Sequence, residues 1–168
     1  MVLLESNSGI NFGSEMKPFD LPDTVSGKSF SDKDFDKKIT LIAFICNHCP
    51  YVVKIVKDFS ALAKKYSDTV QFLAISANDP DYREEDSPEN MTKFAKENDF
   101  SFPYLFDETQ EIAKAYGAVC TPDIYVYKDK KLVYHGRFED LDKALGELNS
   151  GDISFEQLPS IGCSIKWK

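Results

Sequence analysis

The stretch ITLIAFICNHCPYVVKIVKDFSALAKKY, residues 39–66, decides how this chain is read. Its first part, ITLIAFIC (39–46), is a nearly unbroken β-branched and aromatic run, the pattern of a central strand buried on both faces. Then the period changes. Val52, Val53, Ile55, Val56, Phe59, Leu62, Ala63 and Tyr66 recur at helical spacing, with Lys54, Lys57, Asp58, Lys64 and Lys65 on the other face. Pro50 belongs in the first helical turn, where its missing N–H costs nothing. Cys46 and Cys49 therefore lie where a buried strand hands over to a helix N-terminus.

Working outward, VQFLAIS (70–76) reads as a second buried strand, and a long polar stretch follows from Ala77 to Glu89. PENMTKFAKEND then reads as a helix, FPYLFD (102–107) as a short strand, and TQEIAKAYG (109–117) as a short helix ended by Gly117. DIYVYKDKKLVYHG has the alternation of a hairpin around the polar turn Lys128–Lys131, and LDKALGELN closes the order as a helix. Upstream, FDLPDTVSGKSFS suits a small hairpin turning at Gly27. Strands alternating with helices imply parallel crossovers, and the closing hairpin adds an antiparallel edge. The expectation is one α/β domain over 1–168, with a core of about 12–150. A central mixed sheet carries helices on both faces, an extra N-terminal hairpin precedes it, and a C-terminal tail, 151–168, shows no strong period.

Apolar content of 42% with 13% aromatics is a globular composition. A net charge of −8 argues against nucleic-acid or anionic-membrane surfaces, which recruit dense Lys/Arg patches. The opening MVLLESNSGINFG lacks the basic start and long apolar core of a signal peptide, and no run approaches a membrane span. A cytoplasmic protein is expected. In that compartment four cysteines point to catalytic or metal-binding thiols more than to a disulfide framework.

Three readings of Cys46-Asn47-His48-Cys49 compete. As a redox pair, the first thiol meets the positive end of the helix dipole and the second stands one turn further in, so the two can cycle between dithiol and disulfide. On this reading Cys46 is the low-pKa nucleophile, and a charged His48 beside it stabilises the thiolate. As a metal site, Cys46, His48 and Cys49 need a fourth ligand, and the other cysteines and histidine (Cys120, Cys163 and His135) are not closely spaced. As core thiols, the pair does no chemistry. The strand–helix context favours the redox pair, so neither a metal nor a cofactor is expected. AVCTPDIYVY supplies a second signal: Pro122 opens a strand after a Thr, a place for a cis peptide facing the paired thiols, where an extended substrate can dock.

Several residues take the plainer reading. Cys120 is expected to be a core or near-site thiol, and His135 a surface histidine. Phe44 and Tyr51 are explained by packing as well as by shielding of the sulfurs. Asp79, Asp81, Glu84, Glu85 and Asp86 lack the register of a calcium loop and read as a solvated acidic segment. Cys163 is read as part of a structural clasp made by Ile165 and Trp167, with a place near the paired thiols as the alternative.

These pieces resemble the thioredoxin superfamily. Phe19, Leu21, Asp23 (or Thr24), Gly27 and Lys28 are similar to the opening motif of its alkyl hydroperoxide reductase/thiol-specific antioxidant branch. More narrowly, HCPYV, the NDP…EDSPENM loop, VCTPDIYVY, Gly136-Arg137 and GCSIKWK resemble the bacterial peroxiredoxin-like thioredoxin family. The resemblance implies a thioredoxin-like fold and a thiol–disulfide oxidoreductase, with Cys46 attacking, Cys49 resolving and Pro122 as the cis-proline. Its implied partners are protein or small-molecule thiols and disulfides, with hydroperoxides and an antioxidant role as the alternative. Two departures stand out. Ile45 and Thr40 replace the Trp and buried Asp of thioredoxin proper. By the peroxiredoxin pattern Cys49 takes the peroxidatic position, with Arg137 as a candidate thiolate partner, yet Cys46 replaces the Thr of that motif and its Pro is absent.

Overall fold

The apolar run at 39–44 becomes a strand whose six side chains are all buried, because both faces of the sheet it occupies are covered. In the computed structural model, which describes residues 3–168, the chain order begins β1 (Leu3–Glu5), β2 (Asp20–Pro22), β3 (Ser29–Ser31), β4 (Ile39–Phe44), α1 (Pro50–Lys65) and β5 (Val70–Ser76). It continues α2 (Pro88–Glu97), β6 (Tyr104–Phe106), α3 (Glu111–Tyr116), β7 (Cys120–Thr121), β8 (Asp123–Lys128), β9 (Lys131–Gly136), α4 (Leu141–Leu148) and β10 (Ile161–Ser164). Residues 1 and 2 of the expected 1–168 span lie outside the described residues.

The main sheet has the order β6-β5-β4-β8-β9. β4 pairs in parallel with β5, and β5 with β6; β8 and β9 run antiparallel. Alternate side chains separate into two cores, as the period of 2 along a strand requires. Leu41 and Ala43 of β4 join Val52, Val56 and Phe59 of α1 and Leu141 and Leu145 of α4. Ile42 and Phe44 join Tyr116 of α3, Tyr125 and, from the tail, Ile165. The expected mixed sheet with helices on both faces is therefore present, and the β2–β3 hairpin turns at Gly27, whose φ is 76°. No described helix is long and apolar enough to cross a membrane.

Helix boundaries follow their local chemistry. α1 takes Pro50 in its first turn and follows the N-cap Cys49. α2 is capped by Ser87, whose hydroxyl accepts the Asn90 N–H at 3.3 Å. We expect Ser87→Ala to cost about 1 kcal/mol in stability, read as a lowered urea midpoint at constant slope. An unchanged midpoint would show that Pro88 alone starts the helix.

The tail departs from expectation. Rather than lacking regular structure, it contributes β10, which lies between β1 and β7 in a separate three-stranded antiparallel sheet. Gly162 permits this close seating: a Cβ there would stand 1.9 Å from the Thr121 carbonyl oxygen. Ile165 clamps the segment by burial, whereas Trp167 stays 38% exposed with Lys114 Nζ over its ring, so only half of the expected clasp acts through the core.

Candidate functional site

β4 ends at Phe44 and α1 begins at Pro50, so the residues between them form a short loop over the edge of the sheet. A 3-10 turn at Glu84–Asp86 holds that loop from the side. Asp86 accepts the backbone N–H of Asn47 at 2.8 Å and of His48 at 3.2 Å on one oxygen. Its other oxygen faces His48 Nδ1 and accepts the Asn78 side-chain amide at 2.9 Å. Asn47 in turn donates to the Glu85 carbonyl at 2.8 Å and accepts from the Tyr104 hydroxyl at 2.9 Å. Asp86 is fully buried. This corrects the reading of it as part of a solvated acidic segment. Its hydrogen bonds are numerous enough to offset burial and keep its carboxyl below the ordinary value. A carboxylate can only accept, so Nδ1 of His48 carries the proton that joins them.

The second wall is the Thr121–Pro122 segment, whose peptide bond is cis as expected. Cys46 Sγ lies 3.4 Å from Thr121 Oγ1, and Cys49 Sγ lies 3.4 Å from the Thr121 carbonyl oxygen. Thus Cys46, His48, Cys49 and Pro122 come together as the spacing implied. A third sulfur joins them: Cys163 Sγ is 2.8 Å from Cys49 Sγ, brought there by the pairing of Cys163 with Thr121 across β10 and β7. Cys120 is buried nearby, and burial, the Asp123 carboxylate and the neighbouring sulfurs push its thiol up.

Cys46 and Cys49 interact strongly, and the direction of their shifts favours charge on Cys49. The neighbouring Cys46 thiol and Cys163 outweigh burial and bring Cys49 down to about 4; its side chain makes no cap hydrogen bond at the start of α1, where the Val52 N–H donates to the Cys49 carbonyl. The Cys46 thiol moves well above its ordinary value through its contact with Cys49, through burial and through the Asp86 carboxylate. Cys49 is the N-cap of α1, closer to the free N–H groups than Cys46, which stands three residues earlier. His48 directs Nδ1 at Asp86, and a ring nitrogen lies within 4.8 Å of the Cys46 sulfur.

Two other readings change. His135 is not a surface histidine: its side chain is 7% exposed, its Nε2 is 2.7 Å from Asp123 Oδ1 and its ring stacks on Tyr125. Arg137 pairs with Asp140 at 2.7 Å, while the hydrogen-bond partners of the Cys49 sulfur are the Thr121 carbonyl oxygen and Cys163. One further feature was missed. A groove of about 560 Å³ borders Pro122, with Tyr51, Lys54, Arg137, Leu158 and Ile161 on its walls. Cys46, His48 and Asp86 also place potential ligand atoms within 4.8 Å of one another. Both Asp86 oxygens already accept two hydrogen bonds each, so a cation there would have to displace them.

A mixed sheet, paired thiols at the start of the helix after its central strand, and a cis-proline opposite them define a thioredoxin-like protein. The match of residues 12–135 to the AhpC/TSA family model covers most of the sequence, and the chain belongs to that family. It is similar to the crystal structure of an uncharacterised conserved protein from Geobacillus kaustophilus, with a TM-score of 0.95 and 42% identity over 100% of this chain and 97% of that one. A hypothetical protein from Sinorhizobium meliloti is 38% identical at a TM-score of 0.93, covering 98% of each chain. Among curated proteins, the thiol-disulfide oxidoreductase ResA of Bacillus thuringiensis is 27% identical over 140 residues, 82% of this chain and 76% of that protein.

Proposed function

We propose that the chain is a thiol–disulfide oxidoreductase in which Cys49 is the attacking thiolate and Cys46 a resolving thiol. One observation carries the reading: Cys49 Sγ sits at the N-cap of α1, 3.4 Å from the Thr121 carbonyl oxygen and 2.8 Å from Cys163 Sγ, and the Cys46 thiol beside it favours its charged form. The similarity to ResA supports the reaction class. Cys49 attacks one sulfur of a disulfide, forming a mixed disulfide and releasing one thiolate. Cys46 sulfur then attacks Cys49 Sγ, and the second departing thiolate takes the Cys46 proton. The substrate disulfide is reduced by two electrons and the dithiol is oxidised to Cys46–Cys49. The cycle runs in either direction, according to the relative potentials of substrate and protein. The contact with Cys49, burial and, third, the Asp86 charge keep the resolving sulfur protonated until the mixed disulfide forms.

A second reading, hydroperoxide reduction, is favoured by the same low-pKa sulfur standing in the peroxidatic position. There Cys49 thiolate takes an oxygen from the peroxide, which leaves as water or alcohol after protonation, and the sulfenic acid condenses with a neighbouring thiol with loss of water. Stoichiometric mixing separates the two. With 2-hydroxyethyl disulfide, the reduced protein should release two small thiols per chain. With hydrogen peroxide, it should react no more than about tenfold faster than an unactivated thiolate. A peroxide reaction thousands of times faster would make peroxidase the principal activity.

A further inference from the structure

A protein that acts on extended substrates through a cis-proline segment needs an unpaired backbone edge beside its reactive sulfur. Here that edge is already taken. β10 pairs antiparallel with β7, placing Cys163 opposite Thr121 and Ser164 opposite Cys120. The segment is held on its other side by β1 and fastened beyond its end: the Ile165 N–H donates to the Val119 carbonyl and the Lys166 N–H to Asn78 Oδ1, both at 3.0 Å. Only a glycine at 162 allows the strand to come this close to Thr121. The result is a strand seated where an extended substrate would lie, with its own cysteine 2.8 Å from Cys49 Sγ.

We infer that Cys163 is a second resolving thiol, held by β10 in the place of a substrate cysteine, so that the oxidised chain carries a Cys49–Cys163 disulfide as an alternative to Cys46–Cys49. This rests on Cys49 being the attacking sulfur. A disulfide bond is about 2.05 Å long, so closing the existing contact needs a movement of less than ~1 Å. Once a small disulfide RSSR has been attacked by Cys49 and one RS⁻ released, the mixed disulfide Cys49–SR stands beside both thiols. Attack by Cys163 sulfur on Cys49 Sγ forms the Cys49–Cys163 bond, and the departing RS⁻ takes the Cys163 proton. RSSR becomes two RSH, and the chain loses two thiol hydrogens. Cys163 is a catalytic residue by this account, and a seated β10 selects small thiols and disulfides over protein strands, which need the same edge.

The experiment treats the fully reduced chain with one equivalent of 2-hydroxyethyl disulfide, quenches with acid, alkylates and maps the linked peptides by mass spectrometry. The expected result is a Cys49–Cys163 link in the native chain that persists in Cys46→Ser and is lost in Cys163→Ser. Gly162→Ala, which drives a Cβ against Thr121, should lower the yield of that link at least tenfold while Cys46–Cys49 still closes. A Cys46–Cys49 link with Cys163 fully alkylated in the native chain overturns the inference and leaves the proposed function standing. Absence of any adduct or link at Cys49, with Cys46 carrying the small thiol instead, overturns both. If Cys46→Ser fails to fold, the native chain and Cys163→Ser decide the matter by themselves.

Discussion

Cys49→Ser is expected to abolish turnover of small disulfides, a loss of at least about 10³-fold, and to remove the fast phase of iodoacetamide alkylation. The ground is the place of its sulfur at the N-cap of α1, beside Cys163 and the Thr121 carbonyl. Cys46→Ser replaces the proposed resolving thiol with a hydroxyl that can still donate, and leaves the helix terminus in place, so a fast-alkylating thiol should remain. Its apparent pKa should lie below the ordinary thiol value of about 8.5, giving a rate that is nearly flat through neutral pH and falls in acid. A fast phase that survives Cys49→Ser and disappears in Cys46→Ser would restore the opposite order of the two sulfurs.

The same charge makes a stability prediction with a definite sign. Cys49 has a lowered value in the folded chain, so between about 4 and the ordinary value the unfolded chain binds more protons at this group. Stability from Cys49 is therefore fully present above the unfolded value and is lost as pH falls through the folded one. Native protein minus Cys49→Ser should show this slope, at most one proton, in urea unfolding measured from pH 5 to 8.

Asp86→Ala is expected to cost about 3 kcal/mol, the larger of the structural effects. The buried carboxylate accepts from two backbone N–H groups, the His48 ring and the Asn78 amide, and truncation leaves all four donors without their acceptor. The Asn47–His48 loop then loses the attachment that aims Cys46 at Thr121. Asp86→Asn keeps the shape without the charge; in a Cys49→Ser background it should lower the Cys46 pKa, because the raising effect of the carboxylate is gone. Urea unfolding and pH-dependent alkylation test the two parts separately. A cost under ~1 kcal/mol would mean that water replaces the carboxylate.

The five-stranded sheet was legible because each of its central strands announces itself locally. ITLIAF is apolar at five of its six positions and buried at all of them, and α1 switches to a period of 3.6 within a few residues of it. The places of Cys46, His48, Cys49 and Pro122 were legible for a related reason: they depend on where a strand ends and a helix starts, and sequence marks both. Asp86 was not. It sits in an acidic run whose average composition signals solvation, while its burial follows from donors about 40 positions away in the loop at Asn47 and His48. His135 was misplaced because nothing on β9 reveals that Asp123 waits across the hairpin. β1 and β10 are three and four residues long, too short to display alternation, and their partners are set by tertiary contact alone.

The complete burial of all four sulfurs has a kinetic consequence. A reagent larger than the gaps around them reacts only while the strand over Thr121 is lifted, so its rate is the product of an opening equilibrium and the intrinsic rate of an exposed thiolate. That opening need not be global unfolding. The contact closing β1 against the tail joins Ser6 to Ser160, 154 positions apart, and its loss leaves the β4-centred ladder intact. Amide exchange should therefore be faster at Gly162 and Cys163 than at Leu41 or Ile42. Bulky thiol reagents should share the exchange-derived opening free energy of β10, whereas reagents small enough to enter the closed form should be independent of it.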